Sequence, residues 1–386
     1  MRADYFAMSC YIIKRLVFQP KGRNYEEQSL LLGEYGAMDA IINGLKNFPG
    51  DVALYKDGLG ALGNLELREE NKEYVKTTDF ADLVFEQLKA QKHSDFFLNA
   101  CFALMNLCYR DEQLSQVFVE RGLIEHVVAG LRSFPDKPDV HREIGMLLRD
   151  FTYHAEIWGR LLELDAISLV VNSIDKFREP YHSDMHGALI NIALDVHCFN
   201  EMMKTNIVSI LVGYLKVDEG NKIYWQQDVA LLRNIASYES SWDVLKENDV
   251  PELLLSGFDR YPLEFTILTD LMAFFGNITH FMTEDLIKKV FLRGLKSITR
   301  FEEYKRSEAA KKKEKSSEES ENGSSFVETA LWALVLFLHH RSSPALITVL
   351  MRELDSLRCL KGLLSQQGLK IRRERIMYIL KSAKFM

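Results

Sequence analysis

The chain has 386 residues, 47% of them hydrophobic and 27% charged, with a formal net charge of −7 and a pI near 5.9. That is apolar mass enough for a large core, and too acidic a balance for a body built to hold nucleic-acid phosphates. No run of 18 apolar residues occurs, so no membrane-spanning helix is expected.

The first predicted helix covers residues 4–18, in "MRADYFAMSCYIIKRLVF". Asp4, Lys14 and Arg15 interrupt its apolar run and no small-residue cleavage site follows, so it does not read as an export signal. Without such a signal, Asn277-Ile-Thr and Asn322-Gly-Ser are chance sequons. Cys10, Cys101, Cys108, Cys198 and Cys359 are odd in number and scattered, which suits reduced thiols in the cytoplasm, with nuclear access open. A helix near residues 25–33 follows.

From residue 36 onward the chain repeats. Gly36, Asp79, Gly122, Asp165, Asn206 and Asp249 each precede an apolar helix such as "AMDAIINGL" or "LIEHVVAGL", at steps of 43, 43, 43, 41 and 43 residues. These are capping or turn residues at a helix start. A polar loop then leads into a longer helix carrying "ALGNLEL" from Ala61, "ALMNLCY" from Ala103, "ALINIALD" from Ala188, "LLRNIAS" from Leu231 or "FFGNITH" from Phe274. The shared asparagines are Asn64, Asn106, Asn191, Asn234 and Asn277, with Asp150 in "LLRDFTY" filling the gap at steps of 42, 44, 41, 43 and 43. A short helix closes each copy. Near the N-terminus, Arg15 falls close to the Asn position of a partial repeat.

Seven residues before each of these positions, two helical turns back and on nearly the same face, stand Asp57, Asn99, Glu143, Asp184, Gln227 and Asp270. All are polar and four are acidic. The Lys-, Glu- and Ser-rich stretch 301–325 lacks apolar periodicity and is expected to be a disordered insertion. It splits a seventh repeat made of "LIKKVFLRGL" and "ETALWALVLFLHH", with Phe337 where Asn is expected. A last unit ends in Lys370, Arg372, Arg373, Arg375, Lys381 and Lys384, the polar face of a terminal cap.

A period in the low forties with two or three helices per copy fits the HEAT/armadillo class. The order short helix, Gly, apolar helix, loop, Asn-bearing helix resembles the armadillo repeat, over nearly the whole chain. The resemblance implies an all-α, right-handed superhelical solenoid of about eight units with atypical ends. Its divisions are a partial capping repeat at 1–35, repeats at 36–300, the insertion at 301–325, and repeats with a basic cap at 326–386. In armadillo proteins the third helix lines a concave groove, and its Asn binds the backbone of an extended peptide. The resemblance implies that role for Asn64, Asn106, Asn191, Asn234 and Asn277, while Asp150 on the same rung only accepts. With Asp57, Asn99, Glu143, Asp184, Gln227 and Asp270 edging the groove, a basic segment would be favoured. The same pattern also fits amides that bond a neighbouring repeat and carboxylates that form a solvated face. Import receptors of this class carry Trp four residues before the Asn; here that column reads Gly60, Phe102, Met146, Gly187, Ala230 and Ala273, which argues against that function.

No phosphate loop, Gly-x-Ser-x-Gly elbow or His-Glu-x-x-His is present, and His339 and His340 point to different helix faces. His154, His182 and His186 lack a neighbouring ligand at metal spacing. The run "KRSEAAKKKEK" (305–315) has the look of a localisation signal but equally of a solvated loop, and Ser316, Ser317 and Ser320 are candidate phosphorylation targets. The expected function is a non-catalytic scaffold or adaptor, without cofactor or metal, binding an extended basic protein segment and neither nucleic acid nor membrane. The alternatives are a structural subunit of a large cytoskeletal or ciliary assembly, and a small-GTPase regulator or chaperone-like factor.

Overall fold

A computed structural model describes residues 2–17, 25–65, 69–90, 93–108, 111–177, 182–217, 221–310, 317–340, 358, 360–361 and 370–382, and these contain helices and turns but no strand. The fold is an all-α solenoid of armadillo-like repeats. It opens with α1 (Ala3–Val17) and α2 (Tyr25–Glu34). The first full repeat holds α3 (Ala37–Asn47) and α4 (Val52–Leu65), and the second holds α5 (Glu69–Lys76), α6 (Phe80–Ala90) and α7 (Ser94–Cys108). The third comprises α8 (Glu112–Glu120), α9 (Leu123–Ser133) and α10 (Pro138–Phe151); the fourth comprises α11 (Ala155–Glu163), α12 (Ala166–Lys176) and α13 (His182–Ile192). Next come α14 (Val196–Met203), α15 (Ile207–Val217) and α16 (Lys222–Ile235), then α17 (Trp242–Glu247), α18 (Val250–Leu255), α19 (Gly257–Arg260) and α20 (Phe265–Asn277). The last are α21 (Glu284–Ala310), α22 (Ser317–His340) and α23 (Lys370–Ser382).

The helices gather into two compact units, 1–205 and 206–386. In the first, the third helices stack in the order α1, α4, α7, α10, α13; in the second, α16, α20, α22 and α23 stack likewise. No helix among the described residues is long and apolar enough to cross a membrane.

The second helix of each repeat shows why the pattern folds this way. Met38, Ile41, Ile42 and Leu45 of α3 are buried at i, i+3, i+4 and i+7, as are Ile124, Val127, Val128 and Leu131 of α9 and Ile167, Val170, Val171 and Ile174 of α12. In four of these six repeats the residue before the helix makes a turn rather than a cap. Gly36 (φ 78°), Gly122 (92°), Asp165 (49°) and Asp249 (54°) are left-handed and make no side-chain cap bond, so Gly or Asp stands there for backbone tolerance. At the other end, the N–H of Phe48, Phe134 or Phe177 closes the helix on the carbonyl of Gly44, Gly130 or Ser173. Each Phe ring then meets an aromatic ring of the preceding third helix: Phe6 at 5.9 Å, Phe97 at 5.7 Å and His141 at 4.8 Å. Those three residues sit nine before Arg15, Asn106 and Asp150, so the aromatic contact shares the repeat's phase.

Two expectations are corrected. Stretch 301–325 is not an unstructured insertion: α21 continues through Ala310 and α22 starts at Ser317, leaving 311–316 outside the described residues. Ala, Glu and Lys are strong helix formers, so charge density without an apolar period did not exclude helix. Buried Phe301 and Phe326 anchor the two helices, 6.4 Å apart between ring centres. The seventh rung is Leu336, not Phe337. Phe337 is fully buried like Leu65, Leu107 and Phe151, which each follow a rung residue, and Ala333-Leu334 then align with Ala61-Leu62.

Candidate protein-interaction face

The third helices carry the rung residues, and their geometry answers why so apolar a helix holds an amide. Asn64 Nδ2 donates to the Lys14 carbonyl at 3.3 Å, Asn106 to Gly63 at 2.8 Å, Asn191 to Arg149 at 3.1 Å and Asn277 to Arg233 at 3.1 Å. In every case the acceptor lies one residue before the preceding rung position, among the last four residues of its helix. Those carbonyls have no partner within their own helix, so the amide of one repeat caps the helix of the one before. Asn191 also donates to Thr152 Oγ1 at 3.1 Å. Asn234 is buried, and its Oδ1 accepts from Arg233 Nε at 3.0 Å and Nη2 at 2.9 Å. The expected clamp, an amide free both to donate and to accept toward a peptide, is therefore narrowed: Asn191 commits both N–H bonds inside the stack, and Asn64, Asn106 and Asn277 each commit one.

The polar column seven residues earlier is likewise engaged. Arg149 binds Asp184 and Arg233 binds Asp270, while Lys14 lies 3.8 Å from Asp57. In all three, the base stands one residue before a rung and the carboxylate seven before the next. Asn99 accepts from Lys14 at 3.3 Å and donates to the Asp95 carbonyl at 2.7 Å. Glu143, which faces no such base from Met105, pairs at 2.6 Å with Arg142 of its own helix. Gln227 is half-buried on α16. Of this column, Asp57, Asp184 and Asp270 are thus ion-paired with bases of the preceding repeat, the carboxylates being the more deeply buried partners. Burial pushes the Asp270 carboxyl up to about 6 against the opposing pull of Arg233, and raises Asp184 and Glu143 for the same reason. Burial also lowers Lys14, with Asp57 opposing.

This lock explains the missing tryptophans. A Cβ on Gly60 would lie 2.5 Å from Lys14 Nζ, and one on Gly187 would lie 2.7 Å from Arg149 Cδ. Ala273 occupies the matching place before Asn277. At Gly60 and Gly187 the position four before the rung is small because the base of the preceding repeat fills it. The converse also occurs: Phe102 lies over Gly63 and Trp332 over Gly276, a ring where the preceding repeat has no side chain. Reading the residue just before each rung together with the small and acidic positions of the next would have revealed this from sequence.

The exception is Asp150. An ionised carboxylate cannot donate to the corresponding carbonyl of Met105; Asp150 instead accepts from Arg149 Nε at 3.3 Å. Beside it opens a cleft of about 580 Å³ lined by Met105, Cys108, Asp111, Glu112, Ser115, Asp150, Phe151, Tyr153 and His154. Tyr153 is 75% exposed. Glu112 reaches His154 Nδ1 at 3.8 Å. Asp111 caps α8 by accepting from Leu114 N at 3.0 Å and pairs with Lys76, and these contacts, against the opposing effect of burial, hold its carboxyl below the usual range. The cleft sets the exposed Glu112 carboxylate near an aromatic ring open to solvent, while the Asp111 and Asp150 carboxylates are paired with Lys76 and Arg149. Of the residues singled out in the sequence, Cys108, Asp150 and His154 lie in it.

No group of three potential metal ligands occurs among the described residues. His186 is buried, and the side chains of His182, His339 and His340 lie outside the described residues. Of the run 305–315, residues 305–310 belong to α21 and the rest fall outside the description, as do Ser316 and Lys384; Ser317 and Ser320 lie in the first turn of α22. In the basic terminal helix, Arg375 donates to the Glu328 carbonyl at 2.9 Å and pairs with its carboxylate at 3.5 Å.

No family model matches this sequence. Over 122 residues it is 33% identical to Protein aardvark of Dictyostelium discoideum, covering 29% of this chain and only 16% of that protein. Among solved structures, an engineered protein superposes with a TM-score of 0.69 at 14% identity, over 100% of this chain and 96% of that one. A chain from a structure on the phosphorylation switch that controls the interaction between cadherin and β-catenin gives 0.64 at 11% identity, over 98% and 80%. A designed armadillo repeat protein gives 0.50 at 19%, over 67% and 98%. These likenesses place the fold with the armadillo-like repeat solenoids.

Proposed function

We propose that this chain is a non-catalytic protein-interaction scaffold that receives an extended, basic segment of a partner along its third-helix face, with the Asp150 cleft seating one cationic side chain. The support is the cleft itself: carboxylates of Asp111, Glu112 and Asp150 beside the exposed ring of Tyr153, at the one rung among the six where Asp replaces Asn. A rigid helical stack costs little ordering on the receptor side, so binding energy goes into the contacts. That the cadherin–β-catenin structure shares the fold fits a protein partner.

The test uses an array of extended peptides with Lys or Arg at varied positions, followed by affinity measurement on the best binder. Glu112→Lys and Tyr153→Ala alter exposed side chains and should leave thermal stability unchanged while weakening that peptide about tenfold, on the order of 1.4 kcal/mol. Equal affinity of the wild type and both variants removes the cleft from the binding site. Asn→Ala replacements along the ladder are a poor test, because those amides hold the stack together.

A further inference from the structure

Nine residues before the rung, a third helix turns an aromatic ring toward the second helix of the next repeat, and three times that ring lies on a glycine. A Cβ on Gly44, Gly130 or Gly257 would stand 2.8, 2.2 or 2.3 Å from the ring of Phe6, Phe97 or Trp225. One repeat departs from this. On α10 the ring is that of His141, and at the glycine position of α12 stands Ser173, with a Cβ and a hydroxyl. The two residues are 6% and 3% exposed. His141 Nδ1 lies 2.7 Å from Ser173 Oγ, and its Nε2 lies 3.0 Å from the Phe134 carbonyl at the end of α9. Ser173 Oγ also lies 2.9 Å from the Leu169 carbonyl of its own helix. An apolar contact has thus been exchanged for a buried pair that can titrate.

We propose that the His141–Ser173 pair is a pH-sensitive joint between α10 and α12, closed by a neutral imidazole and loosened when the ring takes up a proton. The Phe134 carbonyl can only accept, so Nε2 carries the hydrogen of the neutral ring, and Nδ1 accepts from the Ser173 hydroxyl. That hydroxyl has one proton and two acceptors within reach. On protonation Nδ1–H donates to Ser173 Oγ, and the hydroxyl turns to the Leu169 carbonyl. The ring can therefore charge in place, and the cost falls on burying the charge. Burial lowers the ring's hold on the proton, against the pull of the Phe134 carbonyl. The charges that act on it are Lys176 of α12, which adds to the lowering, and Asp136 of the loop before α10, which opposes it. Those two pair with each other at 2.5 Å. The folded state thus binds the proton less tightly than the unfolded one. Stability from this pair is present above the ordinary histidine value of 6.5 and is lost as pH falls through the lower folded value.

Paired unfolding curves between about pH 8 and pH 5 test this. The comparison is wild type against His141→Phe/Ser173→Gly, which installs the ring and glycine that Phe97 and Gly130 already form. The wild type should lose stability on acidification with a slope steeper by up to about one proton, and hydrogen exchange should quicken in α10 and α12 first. Parallel curves for the two proteins overturn the proposal. The titration of the His141 ring, followed by NMR in the wild type, decides the matter even if the double variant does not fold. A midpoint below that of an ordinary histidine is expected, and one at or above it overturns the proposal.

Discussion

An amide within an apolar helix is costly unless its polar atoms find partners, and here the cost is offset at a place where the backbone already needs help. Asn106 is 7% exposed and donates at 2.8 Å to the Gly63 carbonyl, an orphan of the last turn of α4. Asn106→Ala should therefore destabilise the chain by about 1–3 kcal/mol, since it leaves that buried carbonyl unsatisfied. Asn106→Asp should cost more, replacing a donor by a charge facing an oxygen; equilibrium urea unfolding of both variants checks the order. The Arg233–Asp270 pair behaves differently. Burial raises the Asp270 carboxyl from its ordinary 3.8 to about 6, so the folded state holds the proton more tightly than the unfolded one. Stability from this group is fully present at low pH and declines as pH rises through that window. Asp270→Asn should thus gain on the wild type between pH 4 and 7, the difference levelling off above it, as read from paired melting curves. Removing the cation alone, Arg233→Met, should cost about 3 kcal/mol or more at neutral pH by stranding the carboxylate.

At the scale of the element, the turn before each second helix separates backbone demand from side-chain capping. Gly122 (φ 92°) and Asp165 (φ 49°) occupy equivalent left-handed positions. Gly122→Ala should cost about 1–2 kcal/mol, whereas Asp165→Gly should relieve strain and raise the melting temperature slightly; a fall for the latter would mean that the Asp side chain contributes after all. The helices themselves were legible because the apolar period and the spacing of Gly or Asp turns are local properties of the chain. The role of the rungs was not. Helical periodicity states which residues share a face, and it correctly put Asp184 on the face of Asn191, but it does not say whether that face meets solvent or the next helix. Arg149 settles the matter, since it bonds Asp184 across the repeat junction and lends its own carbonyl to Asn191. The helical residues of 301–325 were missed for a related reason: absence of an apolar stripe shows that a segment is not core, not that it lacks helix.

In a solenoid, stability is close to a sum over neighbouring repeats, so one weak junction stays local and is not averaged away. The junction between α7 and α10 is such a place. Its rung residue, Asp150, cannot cap the Met105 carbonyl as Asn106 caps Gly63, and the cleft of about 580 Å³ lies beside it. Asp150→Asn restores the amide that the other repeats use. It should stabilise the chain by about 0.5–1.5 kcal/mol, the net worth of one hydrogen bond, with hydrogen-exchange protection rising in α7 and α10 before anywhere else. The same change removes a carboxylate from the proposed cation seat, so affinity for a basic peptide should fall while stability rises. Opposite signs from a single substitution are what a site maintained at the expense of the stack predicts. A variant that gains stability and keeps its affinity would make Asp150 merely a flaw in the ladder, and one that loses both would place its carboxylate in a structural contact.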